Sequence, residues 1–125
     1  MVIELTHLTC RHGAGKIVTG GLVVNPSPQP VLGDMSLAWF THVPNARNVA
    51  LGLTSHTLKC DRTERRFRVL EPEKVFRWND IRAVLPRDAV LALESARGTR
   101  PEWWWVSQEP VRVEQVTIHT NGSQA

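Results

Sequence analysis

Long apolar runs are missing from this 125-residue chain. No stretch approaches the roughly 18 apolar residues of a membrane span. No basic segment followed by an apolar run opens it, so neither a membrane anchor nor a signal peptide is expected. Cysteine is scarce: Cys10 and Cys60 are too few for a disulfide framework, and a cytoplasmic protein with reduced thiols is the expectation. Internal repeats and low-complexity tracts are absent, as is the βαβ alternation of a doubly wound sheet. There is no complete phosphate loop, because Gly13-Ala-Gly-Lys16 runs into Ile17 without the required spacing. No Gly-x-Ser-x-Gly elbow occurs, and neither cysteine has a recognisable catalytic context.

What is present suits one globular domain over residues 1–120, with a frayed tail at 121–125. The net charge of +3 is mildly basic, and arginines supply most of the 15 cations. Arg62, Arg65, Arg66 and Arg68 cluster together. They read first as a solvated strand face beside Asp61 and Glu64, and they also allow an anionic partner.

Strand-forming runs appear at Met1–Cys10, Met35–Val43, Thr57–Cys60, Arg65–Leu70, Glu102–Val106 and Val111–His119. Asp61–Glu64 suggests a hairpin turn. Short helices are predicted within Gly13–Gly21, over Ala46–Gly52, and within Arg77–Pro86, where Trp78, Ile81 and Leu85 recur at helical spacing. Ala89–Glu94 fits a strand or a helix. Asn25-Pro-Ser-Pro-Gln-Pro30 is a loop, since three prolines remove donors and fix φ. The class is α+β, mainly antiparallel.

The most informative stretch is Glu102-Trp103-Trp104-Trp105-Val106. On an extended strand, Trp103 and Trp105 share one face while Glu102 and Trp104 share the other. Indoles on both faces predict an interior strand covered on each side. Glu102 at its head is either a strand-end residue reaching solvent or a catalytic carboxylate on a rigid element. A second constellation pairs Cys10-x-His12 with His56-x-x-x-Cys60, a tetrahedral donor set in principle. Its Cys-x-His spacing is tighter than the usual ligand pair, so no bound metal is expected.

Three separated segments, His7-Leu8-Thr9, Trp39-Phe40-Thr41 and Glu102-Trp-Trp-Trp-Val106, together resemble the His-Tyr-Glu class of ADP-ribosyltransferases. That family carries His-Gly-Thr or His-Gly-Ser on its first strand, an aromatic residue then Phe on its second, and a catalytic Glu opening a later strand. Here Leu8 stands in place of the usual Gly, and Trp39 in place of Tyr. Gly13–Pro30 resembles the family's helix and proline-rich loop, Ala46–Gly52 its next helix, and Val111–Ile118 its last strand.

The resemblance implies split, mainly antiparallel sheets with short helices around an NAD cleft. It implies Glu102 and His7 as catalytic residues, with His7, Leu8, Thr9, Trp39 and Phe40 binding NAD as co-substrate and no metal. Glu102 would hold the ribose and stabilise an oxocarbenium as the nicotinamide bond breaks. Trp39 would stack on nicotinamide, and His7 and Thr9 would bond the adenosine ribose. ADP-ribose would pass to a macromolecule, with DNA or RNA favoured over protein by the basic charge; small microbial members act as toxins or modifiers of nucleic acid. A tRNA 2′-phosphotransferase of the same superfamily, and a non-enzymatic nucleic-acid- or protein-binding module with or without a zinc staple, are the alternatives.

Overall fold

A computed structural model of the chain describes residues 4–33, 35–43, 65–95 and 99–116. Its strands are β1 (Thr6–Thr9), β2 (Val23–Val24), β3 (Ser27–Pro28), β4 (Ser36–Thr41), β5 (Arg65–Val69), β6 (Phe76–Arg77), β7 (Trp104–Ser107) and β8 (Val111–Val116). Three helices accompany them: α1 (Arg11–Thr19), α2 (Trp78–Ile81) and α3 (Arg87–Glu94). The strands join in the order β2-β8-β5-β1-β4-β7-β6, with β3 pairing β4, and all these pairings are antiparallel. The α+β, mainly antiparallel class therefore holds. The helix expected at Ala46–Gly52, the strand at Thr57–Cys60, the hairpin at Asp61–Glu64 and the tail lie outside the described residues. No helix among the described residues is long and apolar enough to cross a membrane.

β4 shows how alternation divides the core. Leu37 and Trp39 face one side, Ala38 and Phe40 the other. On the first side, Leu37, Trp78, Val90, Trp104 and Val106 pack together under α2 and α3. On the second, α1 lays Ala14 and Ile17 against Leu5, Phe67, Val69, Val111 and Val113. Burying Phe67 or Trp78, each wholly inaccessible, stabilises by about 2–3 kcal/mol. Both sheet faces are thus filled; α1 and α2 are held by contacts with sheet strands, and α3 by the 3-10 turn at Pro30–Leu32 and by Val90 in the core.

Local chemistry sets the element ends. Cys10 is the N-cap of α1, its Sγ accepting from the Gly13 amide at 3.5 Å. Gly20 closes the helix through Lys16, and Gly21 then takes φ +89, a region open to glycine. In the proline loop, Ser27 and Pro28 make a two-residue edge strand on β4, where a missing amide donor is tolerated. The Arg77–Pro86 helix is realised as α2 followed by a 3-10 turn at Arg82–Val84, and Trp78, Ile81 and Leu85 all reach the same core. The open choice at Ala89–Glu94 resolves to helix, beginning at Arg87.

The tryptophan stretch differs from its expected strand. Pro101–Trp103 forms a 3-10 turn, closed by the Trp103 amide donating to Arg100 O at 2.9 Å, and β7 begins only at Trp104. Proline at the first position of the turn presets its φ and initiates it. The turn breaks the period of two, so Trp103 packs on the same side as Trp104, and Trp105 alone points to the α1 side.

Candidate functional site

β1, β4 and β7 are consecutive in the sheet, which brings together the three segments that carry the sequence resemblance. β4 and β7 are zipped at four positions, from Ala38↔Ser107 to Thr41↔Trp104. β1 is zipped equally well to β5, from Thr6↔Arg68 to Thr9↔Arg65. Between β1 and β4, however, the described residues pair at one position, Thr6↔Thr41. The sheet is a single path with a seam, and past Thr6 the two motif strands no longer share a ladder. The strands thus form one sheet, where split sheets are expected from the sequence resemblance.

A side chain bridges the seam. His7 Nδ1–H donates to the Trp39 carbonyl at 2.8 Å, while its ring lies 5.6 Å from Phe40. A carbonyl can only accept, so the proton sits on Nδ1 and Nε2 keeps its lone pair. Burial lowers the His7 pKa, opposed in part by the bond to Trp39, and the ring is held neutral near pH 7. The imidazole is therefore a fixed acceptor with one defined tautomer.

Trp39 meets His7 through its main chain only. Its indole lies on the opposite sheet face, 5.3 Å from the Trp78 ring and 5.6 Å, edge-on, from Trp104. Trp78 and Trp104 are themselves 5.8 Å apart, which completes an aromatic triad. Phe40 and Leu8 are buried, Leu8 facing Arg66 across β5. Among the described residues, the buried Arg66 Nε has no hydrogen-bond partner. Thr9 ends β1, and its hydroxyl occupies the space where a Cβ at position 13 would stand, which explains Gly13.

Glu102 stands in the 3-10 turn, not on the strand. Its side chain is 60% exposed and 3.8 Å from Arg100, a loose contact in water. Relative to the Thr6–Thr41–Trp104 row, His7 lies one residue to one side and Glu102 two residues to the other. With strands about 4.8 Å apart and about 3.3 Å per residue, His7 and Glu102 are separated by on the order of 10–15 Å. They are not in mutual contact, and a ligand reaching both has to be extended.

Of the candidate zinc ligands, Cys10 serves as a helix cap and His12 is exposed on α1, while His56 and Cys60 lie outside the described residues. Sequence reading did not single out the His7–carbonyl bridge, His42 or Arg77. Only His42 left a sequence signal, two residues beyond Phe40 and so on the same strand face. No family model, curated protein or solved structure matches this chain.

Proposed function

We propose that this chain is an NAD-dependent mono-ADP-ribosyltransferase, with NAD lying along the seam between β1 and β4. One observation carries the proposal: segments separated by dozens of residues, each bearing one part of the resemblance, come together on β1, on β4 and on β7 with the turn that leads into it, and His7 bridges the β1–β4 junction, which pairs at one position among the described residues. A seam between strands is where an extended ligand can approach main chain that is otherwise zipped into a ladder.

The roles follow from the local chemistry. His7 Nε2 accepts from a ribose hydroxyl at the adenosine end, its tautomer fixed by the Trp39 carbonyl. Glu102, solvent-facing, engages the ribose at the nicotinamide end. As the C1′–N bond breaks, both electrons go to the ring nitrogen and nicotinamide leaves neutral. Positive charge develops on the ribose, where the carboxylate opposes it. The acceptor nucleophile then bonds to C1′ and gives its proton to bulk water. Trp39 acts by holding His7 and anchoring the aromatic triad, so a free stacking face for nicotinamide is not assigned to its indole.

The test is nicotinamide release from NAD, with and without DNA, RNA or protein acceptors, in wild type and Glu102→Gln. The amide keeps size and hydrogen bonding but not charge, so turnover should fall about 10²–10³-fold with NAD binding nearly unchanged. Equal release by the two proteins would remove Glu102 from the mechanism.

A further inference from the structure

The sheet face that carries His7 holds a second constellation, two strands away. Trp105 is half-buried in β7, and its Nε1–H donates to His42 Nδ1 at 2.9 Å. The two rings stand edge to face, 6.2 Å apart. Arg77, the register partner of Trp105 on β6, lays its guanidinium 5.3 Å from the centre of the indole. Arg77 and His42 are both exposed. Because His42 accepts at Nδ1, its ring proton is on Nε2, on the side away from Trp105.

Several of the described cations are paired with carboxylates. Arg68 is bonded to Glu114 at 2.7 Å, Arg82 to Glu94 at 2.8 Å and Lys74 to Glu71 at 3.2 Å. Among the described residues Arg77 has no carboxylate partner; its contact is the indole. A planar guanidinium on an aromatic ring presents two things at once: an outer plane on which another flat group stacks, and a rim of N–H donors for phosphate oxygens. His42 Nε2–H adds a donor beside it.

We propose that Arg77, Trp105 and His42 form a binding surface for single-stranded nucleic acid. A base stacks on the Arg77 plane, backed by Trp105, while the guanidinium rim and His42 hold the adjoining phosphates. A duplex hides its base faces in its own stack, so the platform selects unpaired bases. An acidic peptide satisfies the charge of Arg77 but has no flat group to match the plane. Phe40 of β4 lies between this surface and His7, at two strand spacings or about 10 Å. That the bound strand is also the acceptor of ADP-ribose rests on the function proposed above; the binding itself does not.

The experiment is fluorescence anisotropy with end-labelled single-stranded DNA and RNA of about a dozen nucleotides, a length within the site sizes of small single-strand binders. Matched duplex and a polyglutamate peptide serve as competitors. Arg77→Ala should weaken single-strand binding about 10- to 100-fold, the scale of losing one stacked base. Arg77→Lys should recover little of it, because an ammonium keeps the charge without the plane. Trp105→Phe should weaken binding severalfold, and its thermal unfolding profile shows whether the fold is kept. Arg68→Ala, an equal loss of charge at an already paired guanidinium, should leave binding nearly unchanged. The surface is refuted if single strands fail to bind, if Arg77→Lys binds like wild type, or if Arg68→Ala costs as much as Arg77→Ala. Competition by duplex or polyglutamate as strong as by unlabelled single strand refutes it equally. Binding with this pattern but no NAD cleavage would sink the transferase reading alone; NAD cleavage with no such binding would sink the nucleic-acid surface alone.

Discussion

Glu94→Ala removes the acceptor of a wholly buried donor. The Trp78 Nε1–H, on an indole with no accessible surface, donates to Glu94 Oε2 at 2.6 Å, and Arg82 grips the same carboxylate at 2.8 and 3.1 Å. Alanine leaves the indole N–H without a partner, at a cost of about 1–3 kcal/mol. The lost ion pair adds little, since Arg82 is 41% exposed and water screens it to about 0–1 kcal/mol. A total near 2–3 kcal/mol, at about 4 °C per kcal/mol for a domain of this size, lowers Tm by about 8–12 °C. Glu94→Gln keeps an oxygen for Trp78 and gives up only the charge towards Arg82, so a fall of at most about 4 °C is expected. Thermal unfolding followed by circular dichroism gives both values, and near-ultraviolet signal should fade with the alanine variant as the Trp39–Trp78–Trp104 triad loosens. Equal Tm shifts in the two variants would refute the assignment of the stabilisation to the buried N–H.

Three more outcomes follow from the geometry. The lowered His7 pKa means that the unfolded chain binds a proton more readily than the folded one. Its contribution is therefore complete above about pH 6.5 and is lost as pH falls below that value, at up to about 1.4 kcal/mol per pH unit. Urea midpoints of wild type and His7→Asn between about pH 5 and 8 should converge on the acid side; parallel curves would exclude His7 as the titrating group. Gly15→Ala, at an exposed helical position with open space around it, should stabilise by about 0.5–1 kcal/mol. Gly13→Ala should give no such gain because its Cβ would collide with the Thr9 hydroxyl, and equal gains in a denaturant titration would count against that packing. Glu102→Gln should leave stability within about 0.5 kcal/mol of wild type, as expected for an exposed residue with one loose ion pair.

The chain alone settled whatever depends on neighbours in sequence. Alternation placed Val111 and Val113 in the core, with Arg112 outside it; Gly20 and Gly21 ended α1; and the prolines kept residues 25–30 off any central strand. Helical spacing put Trp78, Ile81 and Leu85 on one face even where the helix is cut to a single turn. Pro101 carried a local signal as well, and its preset φ marks a turn where the tryptophans invite a strand. Tertiary structure alone decided who pairs with whom. That β1 lies between β4 and β5, that its ladder with β4 stops at Thr6, and that Arg77 comes to rest on Trp105 are matters of register between strands far apart in sequence. Such pairings are chosen by the fit of the whole sheet and its two cores, not by local preference. For the same reason the sequence offered His7, Trp39 and Glu102 as equals, whereas the fold gives each a different position: a neutral imidazole across the seam, an indole packed on the opposite face, and a carboxylate in water at the end of the sheet.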